Sequence, residues 1–123
     1  SQTSSLYFIL LKFDQISVTR RAGKSASIGC GGINECGSNV YWYQKKESGT
    51  FERLLYIAKS GGKPTRYSHA EKDDFSARIQ QNNCELIISS VKPSHAASYY
   101  CSCWKKRPDV WNQEDLMSGT RKT

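Results

Sequence analysis

Apolar residues in this chain recur at alternate positions in short runs, and clusters of glycine, asparagine, serine and proline separate the runs. Ala26, Ile28 and Cys30 fall on one side of residues 25–30, Phe75, Ala77 and Ile79 on one side of a later run, and Cys84, Leu86 and Ile88 on one side of the next. A period of two is that of a strand with one buried face, so these residues are expected to point inward, Cys84 among them. Residues 40–45 read as another strand that buries Val40 and Trp42, and residues 53–57 as the one after it. Residues 31–39, rich in glycine and asparagine that tolerate positive φ, are a predicted loop, and residues 47–50 and 60–64 are predicted turns. Residues 92–95 lead into Tyr99. From Ile16 onward the pattern is that of an all-β domain, with no internal repeat, heptad or low-complexity run.

Long-range spacing sharpens that picture. In Ser98-Tyr99-Tyr100-Cys101-Ser102-Cys103-Trp104 a tyrosine stands two positions before Cys101, Cys30 lies 71 positions before Cys101, and Trp42 lies 12 after Cys30. Together these spacings indicate an immunoglobulin sandwich, two sheets with Greek-key connections. Cys30 and Cys101 are expected to join the sheets through the core, Trp42 to pack on their sulfurs, and the Tyr99 hydroxyl to tie to backbone upstream.

A length of 123 residues suits one domain. The hydrophobic fraction of 37% fits a two-layer sheet structure with wet outer faces. Five cysteines in so short a chain imply an oxidising compartment outside the cell. No run reaches the roughly 20 apolar residues of a membrane span, so membrane attachment is expected only through segments not in this chain. Residues 1–14, with the apolar run Leu6 to Leu11, read either as a leader remnant or as a first edge strand, and residues 15–123 as the sandwich domain. The formal charge of +7 gathers partly at Lys105, Lys106 and Arg107 and at Lys59, Lys63 and Arg66. Without an aromatic-interleaved basic stripe this reads as a solvated surface and not as a nucleic-acid site.

Catalytic motifs are not found. Neither His69 nor His95 stands in a pattern that pairs it with a nucleophile and an orienting acid. Cys101-Ser102-Cys103 is too tight for zinc-ligand spacing, and Gly61-Gly62 lies in a turn with no helix pattern after it. A binding module without metal or cofactor is the expectation.

Ile16-Ser17-Val18-Thr19-Arg20, Val40-Tyr41-Trp42-Tyr43-Gln44, Leu54-Leu55-Tyr56-Ile57 and Ser98-Tyr99-Tyr100-Cys101 with Trp104 resemble an antigen-receptor variable domain, most like that of a T-cell receptor gamma chain. The resemblance covers about residues 15–104; the extra loop cysteines are also similar to those of shark single-domain receptors. It implies the variable-type form of the immunoglobulin sandwich, with hypervariable loops at 31–39, about 58–66 and about 102–115, and recognition by Cys36, Asn39, Tyr56, Arg66, Trp104, Lys105, Lys106, Arg107 and Trp111. It also implies that Tyr43, Lys45, Phe51 and Tyr100 meet a second variable-domain chain. Large rigid aromatics would anchor a protein or presented antigen, and the basic residues would favour an acidic one. Other readings are a stand-alone receptor domain, to which the charge of Lys45 lends support, a light-chain variable domain, or an adhesion domain.

The chain departs from that pattern in two places. Leu116-Met117-Ser118-Gly119-Thr120 stands where a Phe-Gly-x-Gly joining motif would, so the joining segment is atypical from about 112. Asp74 and His95 reverse the order of the usual basic and acidic pair; they form a charged pair when His95 is protonated, or else are two solvated turn residues. Cys36 is expected to bridge Cys103, because their loops follow strands already joined by the core bridge. Cys36 with Cys84 is the alternative, and a buried free Cys84 would pack as a small apolar group.

Overall fold

A computed structural model describes residues 6–15, 23–47, 49–69 and 71–106, with the backbone path alone for 6–15 and 106. The described residues form strands β1 (Leu6–Gln15), β2 (Ala26–Gly31), β3 (Cys36–Lys45), β4 (Phe51–Ala58), β5 (Thr65–Arg66), β6 (Phe75–Gln80), β7 (Asn83–Ile88) and β8 (Ser98–Lys106). Five make one sheet in the order β1-β8-β3-β4-β5, and three make a second in the order β2-β7-β6. All the pairings are antiparallel. The expected immunoglobulin variable-type sandwich is thus the fold.

The period-two pattern places the core. Ala26, Ile28 and Cys30 from β2, Phe75 and Ala77 from β6, and Cys84, Leu86 and Ile88 from β7 are buried against Val40, Trp42, Leu55 and Ile57 of the facing sheet. Ile79 is only partly covered, at the edge of the cluster. Leu54 and Leu55 break the alternation and are both buried, because a register shift opposite Trp42 and Tyr43 leaves Leu54 as the extra residue of a bulge. Each fully buried Leu, Ile or Phe contributes about 1.5–3 kcal/mol. Cys30 and Cys101 link β2 to β8 through this core, with Cα atoms 6.6 Å apart.

The segment predicted as a loop over 31–39 is mostly not one. A short 3-10 turn spans Ile33–Glu35, and β3 already begins at Cys36, which pairs with Lys105 before an irregularity that ends at Val40. Gly32 enters the turn at φ 77°, a conformation that favours glycine. β1 runs along β8 from Leu6 opposite Lys106 to Gln15 opposite Ser98, so it starts beside the 33–35 turn end of the sandwich and finishes at the other. The joining segment and the Ile16 to Arg20 stretch lie outside the described residues.

At that other end the Tyr99 hydroxyl donates to the His95 carbonyl at 2.6 Å and accepts from Gln44 Nε2 at 3.0 Å. His95 is wholly buried, so it is not a solvated turn residue. Its Nδ1 accepts the backbone N–H of Lys92 at 2.9 Å, and its Nε2 lies 2.8 Å from Asp74 Oδ2. A ring nitrogen that accepts an N–H carries no proton, so the proton sits on Nε2 and is donated to Asp74. Of the two readings, the Asp74–His95 pair is the one formed, as a hydrogen bond from the ring to the carboxylate. The positive charge that faces Asp74 belongs to Lys92, whose Nζ is 3.1 Å from the same carboxylate. Partial burial pushes the Asp74 pKa up, but the hydrogen bonds from His95 and Lys92, with the Lys92 charge, outweigh it and hold the carboxyl below its ordinary value.

Candidate functional site

Two surfaces follow from this frame, one at the end of the sandwich that carries the 33–35 turn and one on the outer face of the larger sheet. At the first, Cys36 of β3 and Cys103 of β8 form a disulfide, with Cα atoms 5.6 Å apart. This is the bridge expected between the first and third loops, and Cys84 is left free and buried. Cys36, placed among the contact residues by the sequence, is itself buried and shapes the surface without presenting one. Trp104, the next residue but two after the core cysteine, is 43% exposed.

The 33–35 turn is held from three sides. Lys59, just past β4, donates its ammonium to the carbonyls of Asn34 at 2.9 Å and Cys36 at 2.7 Å, and its backbone N–H to Ser38 at 2.8 Å. Asn82, in the β6–β7 turn, accepts from the backbone of Gly32 and Ile33 through its carbonyl and from Asn34 through Oδ1 at 2.7 Å. Ile33 is inserted into the core, and Glu35 forms an ion pair with Lys105. Asn82 was not singled out from the sequence, and Lys59 only as part of a basic cluster read as solvated surface, a reading its two main-chain acceptors correct. Each acts through a contact more than twenty positions away, and neither lies in a local motif that would have marked it.

Strand alternation sends Tyr41, Tyr43 and Lys45 of β3 outward, opposite to buried Trp42. On the same face Phe51 stacks edge-on with Tyr43 and Tyr100, at centroid distances of 6.4 and 5.0 Å, and is 54% exposed. Tyr56 lies between Tyr41 and Tyr67, at 5.6 and 5.8 Å, and the Arg53 guanidinium sits 4.6 Å over the Tyr67 ring. Burial raises the Tyr67 pKa, and the Arg53 charge opposes it. The residues proposed from sequence for a partner interface are therefore brought together, with Lys45 half-buried beside them.

The recognition residues are divided. Asn39 is half-buried near the start of β3, and Tyr56 belongs to the aromatic sheet face. Arg66 is on β5, where its Nε donates to the Phe75 carbonyl at 2.7 Å and ties that edge to β6. Lys105 is half-buried and paired with Glu35. The side chain of Lys106, together with Arg107 and Trp111, lies outside the described residues. Glu71, Asp74 and His95 bring potential metal-ligand atoms within 4.8 Å of one another. His95, however, commits both nitrogens to Lys92 and Asp74, while Glu71 faces Ser94 and Lys46. Among the described residues no helix is long and apolar enough to cross a membrane.

A two-sheet sandwich pinned through its core, with a braced loop end and an aromatic sheet face, is the architecture of a variable domain. The chain belongs to the immunoglobulin V-set domain family, which matches residues 14–116. It is 28% identical over 98 residues to a mouse (Mus musculus) T-cell receptor gamma chain V region, covering 78% of this chain and 73% of that relative. A second mouse gamma chain V region is 30% identical over 96 residues, covering 76% of this chain and 83% of the relative. The solved structure of a marsupial T cell receptor superposes with a TM-score of 0.62 at 30% identity, over 70% of this chain and 40% of that one. The chain thus spans less than half the length of that receptor chain.

Proposed function

We propose that this domain, taken as residues 15–123, recognises antigen outside the cell as the variable domain of a gamma-like T-cell receptor chain, paired with a second variable domain. The observation that carries the pairing is Phe51, more than half exposed within an aromatic cluster on the outer sheet face. Aromatic rings supply contact area at low entropic cost, and a half-exposed phenylalanine gains by being covered. Tyr43, Tyr100 and Lys45 share that face. Ligand contact is assigned to the braced end through Trp104, Lys105 and Asn39, with Tyr56 and Arg66, and to Lys106, Arg107 and Trp111, which follow Lys105 in the sequence. Lys105 is already paired with Glu35, so any preference for an acidic antigen rests on the basic residues that follow it.

Half-buried Lys45 on the same face favours a stand-alone domain, because a charge inside a packed interface is costly unless it is paired. One experiment separates the two readings. Sedimentation of the chain mixed with gamma-receptor partner variable domains should show a heterodimer that Phe51→Glu abolishes. Undiminished association of that variant would refute the assignment of the face, and a monomer with every partner would favour the stand-alone domain.

A further inference from the structure

Cys30 faces two cysteines. Across the core it is bridged to Cys101 of β8. Within its own sheet, Cys84 of β7 stands directly opposite it in the antiparallel register. Directly opposed residues of such a pair point to the same face, with Cα atoms about 4.5–5.5 Å apart. That spacing lies inside the roughly 4.4–6.8 Å that a disulfide spans. All three cysteines are wholly buried, so the Cys84 thiol is on the same inner face as the bridge. Trp42, which pairs with Cys101 in the facing sheet, donates its indole N–H to Cys84 Sγ at 3.3 Å. The Cys84 sulfur therefore reaches the strand that neighbours Cys101.

We propose that Cys84 is a second partner for Cys30, so that the core bridge has two isomers: Cys30–Cys101 between the sheets and Cys30–Cys84 within one sheet. The exchange needs no oxidant. The Cys84 thiolate attacks Cys30 Sγ, the Cys30–Cys101 bond breaks, and its electron pair leaves on Cys101 Sγ, which takes up the proton that Cys84 released. One bridge and one thiol remain on each side of the reaction. In the folded domain the exchange is held off, because burial pushes the Cys84 thiol up to about 11 despite the lowering hydrogen bond from Trp42, and almost no thiolate exists at neutral pH. Separation of the sheets removes that restraint. The in-sheet isomer keeps β2 on β7 and uncouples the two sheets, while Cys36–Cys103 still ties β3 to β8 within the larger one.

Oxidative refolding tests this. The reduced chain is refolded in a glutathione redox buffer, quenched with iodoacetamide at intervals and mapped without reduction. Cys84 and Cys101 are 17 positions apart and Cys30 and Cys84 are 54 apart. Chain statistics alone would thus favour Cys84–Cys101 over Cys30–Cys84 by about sixfold. The β2–β7 register reverses that order, and Cys30–Cys84 is the expected transient species. Dominance of Cys84–Cys101 would overturn the proposal. Cys101→Ser should fold with a Cys30–Cys84 link, and alkylation of both thiols in that folded variant would equally overturn it. If the variant fails to fold, the ratio in the wild-type chain decides alone.

Discussion

Replacing Tyr99 by phenylalanine removes one oxygen from a site with no solvent access. That oxygen donates to the His95 carbonyl and accepts from Gln44, which is 4% exposed. Burial pushes the phenol pKa up to about 12, against a lowering hydrogen bond from Gln44, so the hydroxyl remains a donor throughout the working range. Without it, a buried amide N–H and a buried carbonyl each lose a partner, at about 1–3 kcal/mol for each group left unsatisfied. The ring fills the same space, so no cavity term is added. A loss of about 3 kcal/mol is expected for Tyr99→Phe, which for a domain of this size lowers Tm by more than about 10 °C. Urea denaturation without reductant measures it, with the slope unchanged because the buried area is unchanged. Gln44→Leu removes the other side of one bond, so the double variant should cost less than the sum of the singles. A loss below about 0.5 kcal/mol in Tyr99→Phe, or strict additivity with Gln44→Leu, would show that these hydrogen bonds do not hold the base of the sandwich.

Asp74 is held below its ordinary value of 3.8 in the folded state, so its stabilisation is present above that value and is lost as pH falls through the lower folded value. Asp74→Asn should therefore lower stability at neutral pH and flatten the acid limb of the stability profile below about pH 4; an acid limb identical to that of the wild type would refute the link. Cys36→Ser with Cys103→Ser removes a bridge that closes only a short additional loop, and should cost about 2 kcal/mol or less. Hydrogen exchange at the amides of residues 32–36 should rise well beyond that global change, and exchange that only tracks global unfolding would show that Lys59 and Asn82 fix the turn unaided.

What the sequence determined about this protein rests on local periodicity and on a few long-range spacings. Alternation placed Ile28, Phe75, Leu86 and Ile88 inside because successive side chains on a regular strand point to opposite faces. The Cys30, Trp42, Tyr99 and Cys101 spacing specified two joined sheets, since each residue has one place in such a frame. Even the second bridge could be argued from proximity, given the first. The partner-facing positions of Tyr43, Phe51 and Tyr100 came from the family resemblance, and strand alternation agrees with it for Tyr43 once Trp42 is inside. The tertiary structure decided everything that depends on which atoms meet across the chain. Nothing in the sequence shows that His95 is buried between the Lys92 N–H and the Asp74 carboxylate, with the Lys92 ammonium on that same carboxylate. Alternation turned Cys84 inward, yet only the β2–β7 register sets it opposite Cys30 and under the Trp42 indole. Nothing near Lys59 marks it as the clamp on the 33–35 turn, because its two acceptors are main-chain carbonyls, which every residue carries and which only folding brings within reach.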